Sequence, residues 1–451
     1  MIKRALFLLT LFTVVANSVF MAQESAPAQP HHLSLEEAVQ LALQHNHLVR
    51  IAAFKVEENE HAKEVARSAY LPVLRNESSF AHLTDTQFIA IPGGSLGTVA
   101  GTPIPNAPEV INQGSLNIST VGTGLTQPLT QLFKIKAAND AARADIAASK
   151  GKARSTQDQV ALKVRQLYYA ILVVQSQHQA IEAKIHAAED LQTERVQQVK
   201  YGSTLEADLI ESRAQSLQAK QDLLTSEFQL SDLRTQFNDV VGLPINSQVV
   251  LDPNVPTPAA SSSREQCTKL ALESNPEIAE AKAVVEKASA GVRAAKREYI
   301  PDIDVFARQR YQNGVPFLAR NFGTFGVNFS YYIFDGGKKR AALREREAQL
   351  DQANENLARI SDEVEVKVQT AYNKLERTER MVAVSQELLA ARKEARRVSA
   401  QGLEQGIYLR SQAEAALAQE SQAQTLLLQS QLQYAEAQDE LNEAIGRSAN
   451  E

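Results

Sequence analysis

The residues in this 451-residue sequence whose types and spacing could do chemistry form no working constellation. Asp335-Gly336-Gly337-Lys338 invites a phosphate-loop reading, but a P-loop needs an earlier glycine where Tyr332 stands and a Ser or Thr where Lys339 stands. A turn from a strand into a helix accounts for the same four residues. His45-Asn46-His47 offers two imidazoles, yet residues two apart on a helix do not share a face. No cysteine or methionine cluster supplies further ligands. His178 falls in an apolar seam and reads as a packed or lumen-facing side chain. Nucleophile elbow, zinc helix signature and dinucleotide fingerprint are all missing. The expectation is therefore a protein without catalytic, metal or cofactor site, whose many helix carboxylates mark a solvated face.

The remaining residues of special type are punctuation. Gly202 in VKYGSTLEADL and Gly402 and Gly406 in QGLEQGIYLRS interrupt two long helical segments. Glycine at a helix end adopts the left-handed conformation that closes the last turn, so the spacing predicts hairpin tips near 202 and 406. Tyr70-Leu71-Pro72 and Tyr299-Ile300-Pro301 each stop a helix, because proline drives the preceding residue out of the helical region and cannot donate to a ladder. Tyrosine favours an apolar body beside a wet hydroxyl, the condition at a membrane surface, so these two stops read as helix-to-strand junctions at a membrane's inner edge.

The chain repeats itself. At an offset of 229, Ser34 falls on Ser263, Leu41-Ala42-Leu43 on Leu270-Ala271-Leu272, Asn46 on Asn275, and Tyr70-x-Pro72 on Tyr299-x-Pro301. Both copies open with capping-box spacing, Ser34-x-x-Glu37 and Ser263-x-x-Gln266. At an offset of 204, Val121–Gly242 lies on Phe325–Gly446 without a gap. The drop in offset leaves the first copy 25 residues longer between Pro72 and Val121, where a Gly/Pro-rich loop, Ile91–Pro108, is expected. The first repeat spans 31–242, the second 264–446, and the Pro/Ser-rich segment 243–263 reads as a linker rather than a core element.

No proline occurs between Pro128 and Pro244 or after Pro316. Apolar residues step by four and three through Val160, Val164, Leu167, Ile171, Val174, Ile181, Ile185 and Ala188, the seam of a coiled coil. A helix from Ile135 to Lys200 would be ~100 Å long at 1.5 Å per residue. Between the helices lie four predicted strands, roughly 73–89, 115–129, 302–313 and 322–334. The third places Ile303, Val305, Ala307 and Tyr311 opposite Asp304, Arg308 and Arg310, and the fourth places Phe325, Val327, Phe329, Tyr331 and Ile333 opposite Asn328 and Ser330. A soluble antiparallel sheet alternates equally well. Aromatic strand ends (Tyr299, Tyr331, Tyr332, Phe334) favour a membrane girdle. Four strands cannot close a barrel, and an open edge cannot stand in lipid, so membrane strands here demand an oligomer.

Lys3 and Arg4 followed by the apolar run Ala5–Val15 form a secretory signal, 1–22, with cleavage expected after 18 or 22. The single cysteine, Cys267, excludes both an N-terminal lipid anchor and an internal disulfide. A net charge of -6 speaks against nucleic acid as a partner.

In the order of its motifs the chain resembles the TolC family of outer-membrane efflux and secretion channels. The resemblance rests on Ser34–Asn46 and its copy Lys269–Ile278, the two Tyr-x-Pro stops, and the strand-to-helix junctions Leu125–Lys134 (with Pro128) and Tyr331–Arg340 (with Asp335, Gly336 and Gly337). The endings Val240–Pro244 and Ala444–Gly446 add to it. It implies a mainly α fold with a membrane β-barrel: a homotrimer whose twelve strands, four per chain, form one barrel continuous with a periplasmic α-helical barrel. It also implies a periplasmic adaptor, an inner-membrane pump of RND, ABC or MFS type, and residence in the outer membrane, as the passive conduit of a tripartite efflux or type I secretion system. At the tips the family's aspartate position is Asp208. Its arginine position holds Tyr408, with Arg410 two residues on, and its acidic positions hold Gln412 and Ala415. The hairpins are thus expected with altered gating contacts and ion preference. The rival reading is a secreted periplasmic coiled-coil scaffold or adaptor without a pore.

Overall fold

The computed structural model describes residues 31–85, 88–112, 114–255, 263–315 and 318–447. The predicted signal segment, 1–22, lies outside them. In chain order the elements are β1 (His31–Leu33), α1 (Leu35–His45), α2 (His47–Ser68), β2 (Val73–His82), β3 (Phe88–Ile91), β4 (Thr98–Val99), β5 (Thr102–Pro103), β6 (Glu109–Asn112), β7 (Asn117–Pro128), α3 (Leu132–Lys200) and α4 (Glu206–Val241). There follow β8 (Val249–Leu251), α5 (Arg264–Ser274), α6 (Pro276–Arg297), β9 (Asp302–Asn313), β10 (Asn321–Ser330), α7 (Lys338–Glu404) and α8 (Arg410–Ala444). Two helices dominate, α3 with 69 residues and α7 with 67, each about 100 Å long.

Each repeat starts at a corner built from one asparagine. Asn46 ends α1 and opens α2; its Oδ1 accepts from the Leu48 amide at 2.8 Å and its Nδ2 donates to Val240 O at 2.9 Å. Asn275 does the same between α5 and α6, accepting from the Glu277 amide at 2.8 Å and donating to Ala444 O at 2.9 Å. The HNH triplet is thus a helix corner, with its histidines on two different helices. Asn275 is only 4% exposed. Replacing it with Ala strands a buried carbonyl and removes a cap, so Asn275→Ala is expected to lower unfolding stability by about 2–3 kcal/mol, read by denaturant titration of helix CD.

The apolar seams bury against two separate cores. Val160, Val164, Leu167, Tyr168 and Ile171 of α3 pack with α1, Phe237 and Val241 of α4, and the strand pair β1–β8. Tyr168 Oη stands 2.8 Å from Asp252 O and 3.1 Å from Leu33 O, and burial pushes its pKa up to about 12. Val364, Val368, Ala371 and Leu375 of α7 pack with Cys267, Ala271, Ile278 and Leu441. The segment 243–263 departs from expectation here. Its Val249 and Leu251 alternate inward around exposed Val250 and lie in the first core, because the parallel pairing with His31–Leu33 gives their backbone partners.

Between α3 and α8 lies a partly buried charged contact. Asp439 accepts from Arg165 Nη1 at 3.0 Å and from Tyr169 Oη at 2.9 Å. Burial holds the Asp439 carboxyl above the ordinary carboxylate range against the opposing pull of Arg165, and burial likewise raises Glu443. Both are raised in the folded chain, so the stability they contribute is fully present below their ordinary carboxylate values and is lost as pH rises through the raised ones. Thermal unfolding midpoints of wild type and Asp439→Asn/Glu443→Gln are therefore expected to differ in slope across mildly acidic pH, the variant falling less steeply.

The four long strands form one antiparallel sheet in the order β10-β9-β7-β2, leaving β2 and β10 as open edges. Three strands differ from their predicted bounds. The fourth stops at Ser330, opposite Asp302, because the next partner would be Pro301, which has no amide to give. Tyr331, Tyr332 and Phe334 therefore follow the strand as exposed residues, with Lys339 Nζ 5.2 Å from the Tyr331 ring centroid. The first stops at His82, and the second begins at Asn117 because the Ser115 hydroxyl bonds the Asn117 amide and carbonyl and turns the chain out of the ladder. The expected loop 91–108 is also partly paired. The pairs β3–β6 and β4–β5 prolong the β2–β7 hairpin into a narrow ribbon ending at Ala100 and Gly101.

Candidate functional site: the sheet faces and the hairpin tips

The strand register sorts the sheet's side chains. Arg75, Gly124, Arg308 and Thr324 form one row, and Glu77, Gly122, Arg310 and Phe322 the next. Alternation carries Asp302 and Asp304 to the same face. Every Asp, Glu, Lys and Arg of these four strands thus lies on one face. The other face carries Leu74, Phe80, Val121, Leu125, Val305, Phe325, Val327 and Phe329, all exposed. Phe325 is 89% exposed. A soluble sheet would bury such a face, whereas lipid requires it outward and the charges inward. Among the described residues no helix is long and apolar enough to cross a membrane.

The predicted junction residues stand where helix and strand meet. Tyr70 and Pro72 separate α2 from β2, and Gln127 Nε2 donates to Tyr70 O at 3.2 Å. Tyr299 and Pro301 separate α6 from β9; beside them Lys134 bridges Asp302 at 3.0 Å and Glu298 at 3.3 Å, tying the start of α3 to the base of the sheet. Pro128 is the last residue of β7. Asp335 accepts from the amides of Gly337 and Lys339, both at 3.0 Å, while Gly336 and Gly337 hold positive φ (67° and 88°). The DGGK stretch is thus a helix entrance.

At the far end of the helices, Gly202 and Gly406 each take a left-handed conformation, φ 72° and 73°, and close α3 and α7. Asp208 and Gln412 occupy the same place in α4 and α8. Asp208 accepts from the Leu205 amide at 3.3 Å and from Thr204 Oγ1 at 2.7 Å; Gln412 accepts from the Leu409 amide at 3.1 Å. Those bonds hold the Asp208 carboxyl below the ordinary range, the Thr204 hydroxyl foremost. Each side chain caps its own helix start within the chain. Tyr408 folds back onto Gly402, where a Cβ would meet its Cδ2 at 2.1 Å, so Gly402 is a packing position inside α7 and not a tip.

Arg410 reaches the other hairpin. Its Nε lies 3.0 Å from Asp190 Oδ2, and one turn along α3 the Glu194 carboxylate accepts from the Ser411 amide at 3.0 Å and from its hydroxyl. Asp190 and Glu194, four apart on one face of α3, receive the positive end of α8 and clamp the two hairpins together. Sequence reasoning missed this pair. Its only signal was the four-residue spacing of two acids before a tip, which does not reveal that α8 faces them. Beside it a groove of about 680 Å³ runs between the hairpins, lined mainly by alanines and glutamines, among them Ala187, Gln218, Gln412 and Ala415, with Leu191.

Comparison with known proteins agrees with this geometry. The family described as outer membrane efflux protein matches residues 38–242 and 268–447, well over half of the chain and most of both repeats. Among solved structures, a membrane protein from Pseudomonas aeruginosa is similar with a TM-score of 0.73 at 19% identity, over 91% of this chain and 93% of that one. The Campylobacter jejuni CmeC outer membrane channel gives 0.73 at 16%, over 91% and 85%. The open state of the Neisseria gonorrhoeae MtrE outer membrane channel gives 0.69 at 16%, over 91% and 88%. At these identities the structures show a shared fold. No curated protein sequence matches significantly. Matched through both repeats and folded as these channels are, the chain belongs to the outer membrane efflux protein family, efflux channels of the outer membrane whose long helices stand in the periplasm.

Proposed function

We propose that three copies of this chain close a twelve-stranded barrel by pairing the β2 edge of one with the β10 edge of the next. Their long helices continue the barrel as a periplasmic tunnel. The observation that carries this reading is the sheet itself: every charge on one face, exposed apolar residues and no charge on the other, and two open edges that lipid cannot solvate. The conduit is passive and performs no chemical step; the energy comes from an inner-membrane pump of the RND, ABC or MFS type, in tripartite efflux or type I secretion.

A periplasmic adaptor would seat a helix in the groove between the hairpins, whose alanine and glutamine lining admits close backbone approach. The tip set Gly202, Asp208, Gly406, Tyr408, Arg410 and Gln412 shapes the entrance. In this reading Arg410 is the one that joins the hairpins, through Asp190. Asp208 and Gln412 hold the turns themselves.

Protein extracted from the outer-membrane fraction and added to planar lipid bilayers is expected to give discrete conductance steps. A protein recovered with soluble periplasm that yields no steps would contradict the reading.

A further inference from the structure

The barrel's inner face sets its charges apart along its height, with three arginines gathered in two adjacent rows and two of its three acids, Asp302 and Asp304, at one end. Of the charged residues in the two adjacent rows across the sheet, three are arginines, Arg75, Arg308 and Arg310, and one is an acid, Glu77. Glu77 lies 3.0 Å from Arg75 Nε, and among the described residues no acid pairs with Arg308 or Arg310. The strand between them presents only glycine: Gly124 separates Arg75 from Arg308, and Gly122 separates Glu77 from Arg310. A Cβ on Gly124 would stand 3.2 Å from Arg308 Cγ, so the glycine makes the room in which that side chain lies. Arg308 also stacks its guanidinium 5.0 Å from the Phe306 ring centroid, which holds it along the wall.

We propose that these rows form an electropositive belt inside the barrel that binds and selects anionic solutes, oxyanions such as carboxylates and phosphates, on their way out. The inference rests on the three-copy barrel proposed above, which repeats the belt around the lumen and places it between low-dielectric walls. Such walls focus the field of like charges. Guanidinium supplies paired donors that match two oxygens of a carboxylate or phosphate, and it stays charged at every working pH. The residues of opposite sign nearest to the belt, Asp302 and Asp304, sit at the periplasmic base of β9. There Asp302 is held by Lys134 and Asp304 by Gln131 Nε2 at 3.4 Å.

The test uses the full-length protein in planar bilayers under a KCl gradient, with tripolyphosphate added on the extracellular side as the probe. Wild type is expected to favour chloride over potassium and to be blocked by tripolyphosphate. In Arg308→Gln/Arg310→Gln the half-blocking concentration should rise at least roughly tenfold, with the chloride preference reduced. Glu77→Gln, which releases Arg75, should move both readouts the other way. Arg308→Lys/Arg310→Lys should keep most of the selectivity and lose part of the block. Conductance steps that favour potassium, or a block unchanged in the glutamine variant, would overturn the belt while leaving the channel intact. Absence of any steps would overturn the conduit and the belt with it.

Discussion

Glu194→Gln combined with Asp190→Asn is expected to raise the mean single-channel conductance severalfold. Among the described residues the two carboxylates join the start of α8 in the second hairpin to α3 of the first: Glu194 takes the Ser411 amide and hydroxyl, and Asp190 takes Arg410. Arg410 is 71% exposed, so its pair contributes no more than about 1 kcal/mol. The Glu194 contacts are partly buried, charge-assisted and aimed at a helix N-terminus, and contribute more, about 1.5–3 kcal/mol. Together they amount to about 2–4 kcal/mol per chain, enough to shift a two-state tip by tenfold or more. The neighbouring Glu189 offers the control. It faces Lys220 of α4 within the same hairpin, so Glu189→Gln is expected to leave the conductance as it was. Equal conductance in all three proteins would show that the clamp plays no part in closing the entrance.

The second large effect separates four glycines that share one backbone conformation. Gly202, Gly242, Gly406 and Gly446 all have φ between 72° and 81°. At Gly202 and Gly406 an added Cβ meets nothing within 4 Å. Alanine there carries only the left-handed penalty, about 1–2 kcal/mol. At Gly242 the Cβ would stand 2.7 Å from His45 Cβ, and at Gly446 it would stand 2.7 Å from Ser274 O and 2.8 Å from Asn275 Cα. These atoms belong to the asparagine corners, which cannot withdraw without losing their bonds to Val240 and Ala444. Gly242→Ala and Gly446→Ala are therefore expected to cost about 3–5 kcal/mol each and to abolish the assembled oligomer on native gels. The tip variants should assemble normally. Loss of assembly in all four, or in none, would mean that packing at the corners does not decide the outcome.

What the sequence made legible follows from which interactions are local or repeated. The seam residues Val160, Val164 and Leu167 and their copies Val364, Val368 and Ala371 declare buried helix faces by spacing alone, and all six are buried. The paired asparagines were visible as equivalents, though their reach to Val240 and Ala444 was not. The short strand β8 escaped notice because three apolar residues amid prolines carry no period, and their partner β1 lies more than 200 residues away. The clamp on α8 was hidden for the same reason, since Glu194 and Ser411 are 217 positions apart. The arginine belt was half legible. Arg308 and Arg310 alternate cleanly in β9, but Arg75 sits in a strand whose outward face mixes Leu74 and Phe80 with Asn76 and Ser78, and that mixture blurs the phase. Only the register, which runs through Gly122 and Gly124, brings the three arginines together.

The central claim is that the open edges β2 and β10 are closed by neighbouring copies, and cross-linking between those edges tests it most directly. In a Cys267→Ala background, Asn76→Cys on β2 and Val327→Cys on β10, treated with a short bifunctional maleimide in outer membranes, are expected to give covalent dimers and trimers with nothing larger. Monomers cross-linked only within themselves, or a ladder running beyond three copies, would contradict the closed three-copy barrel.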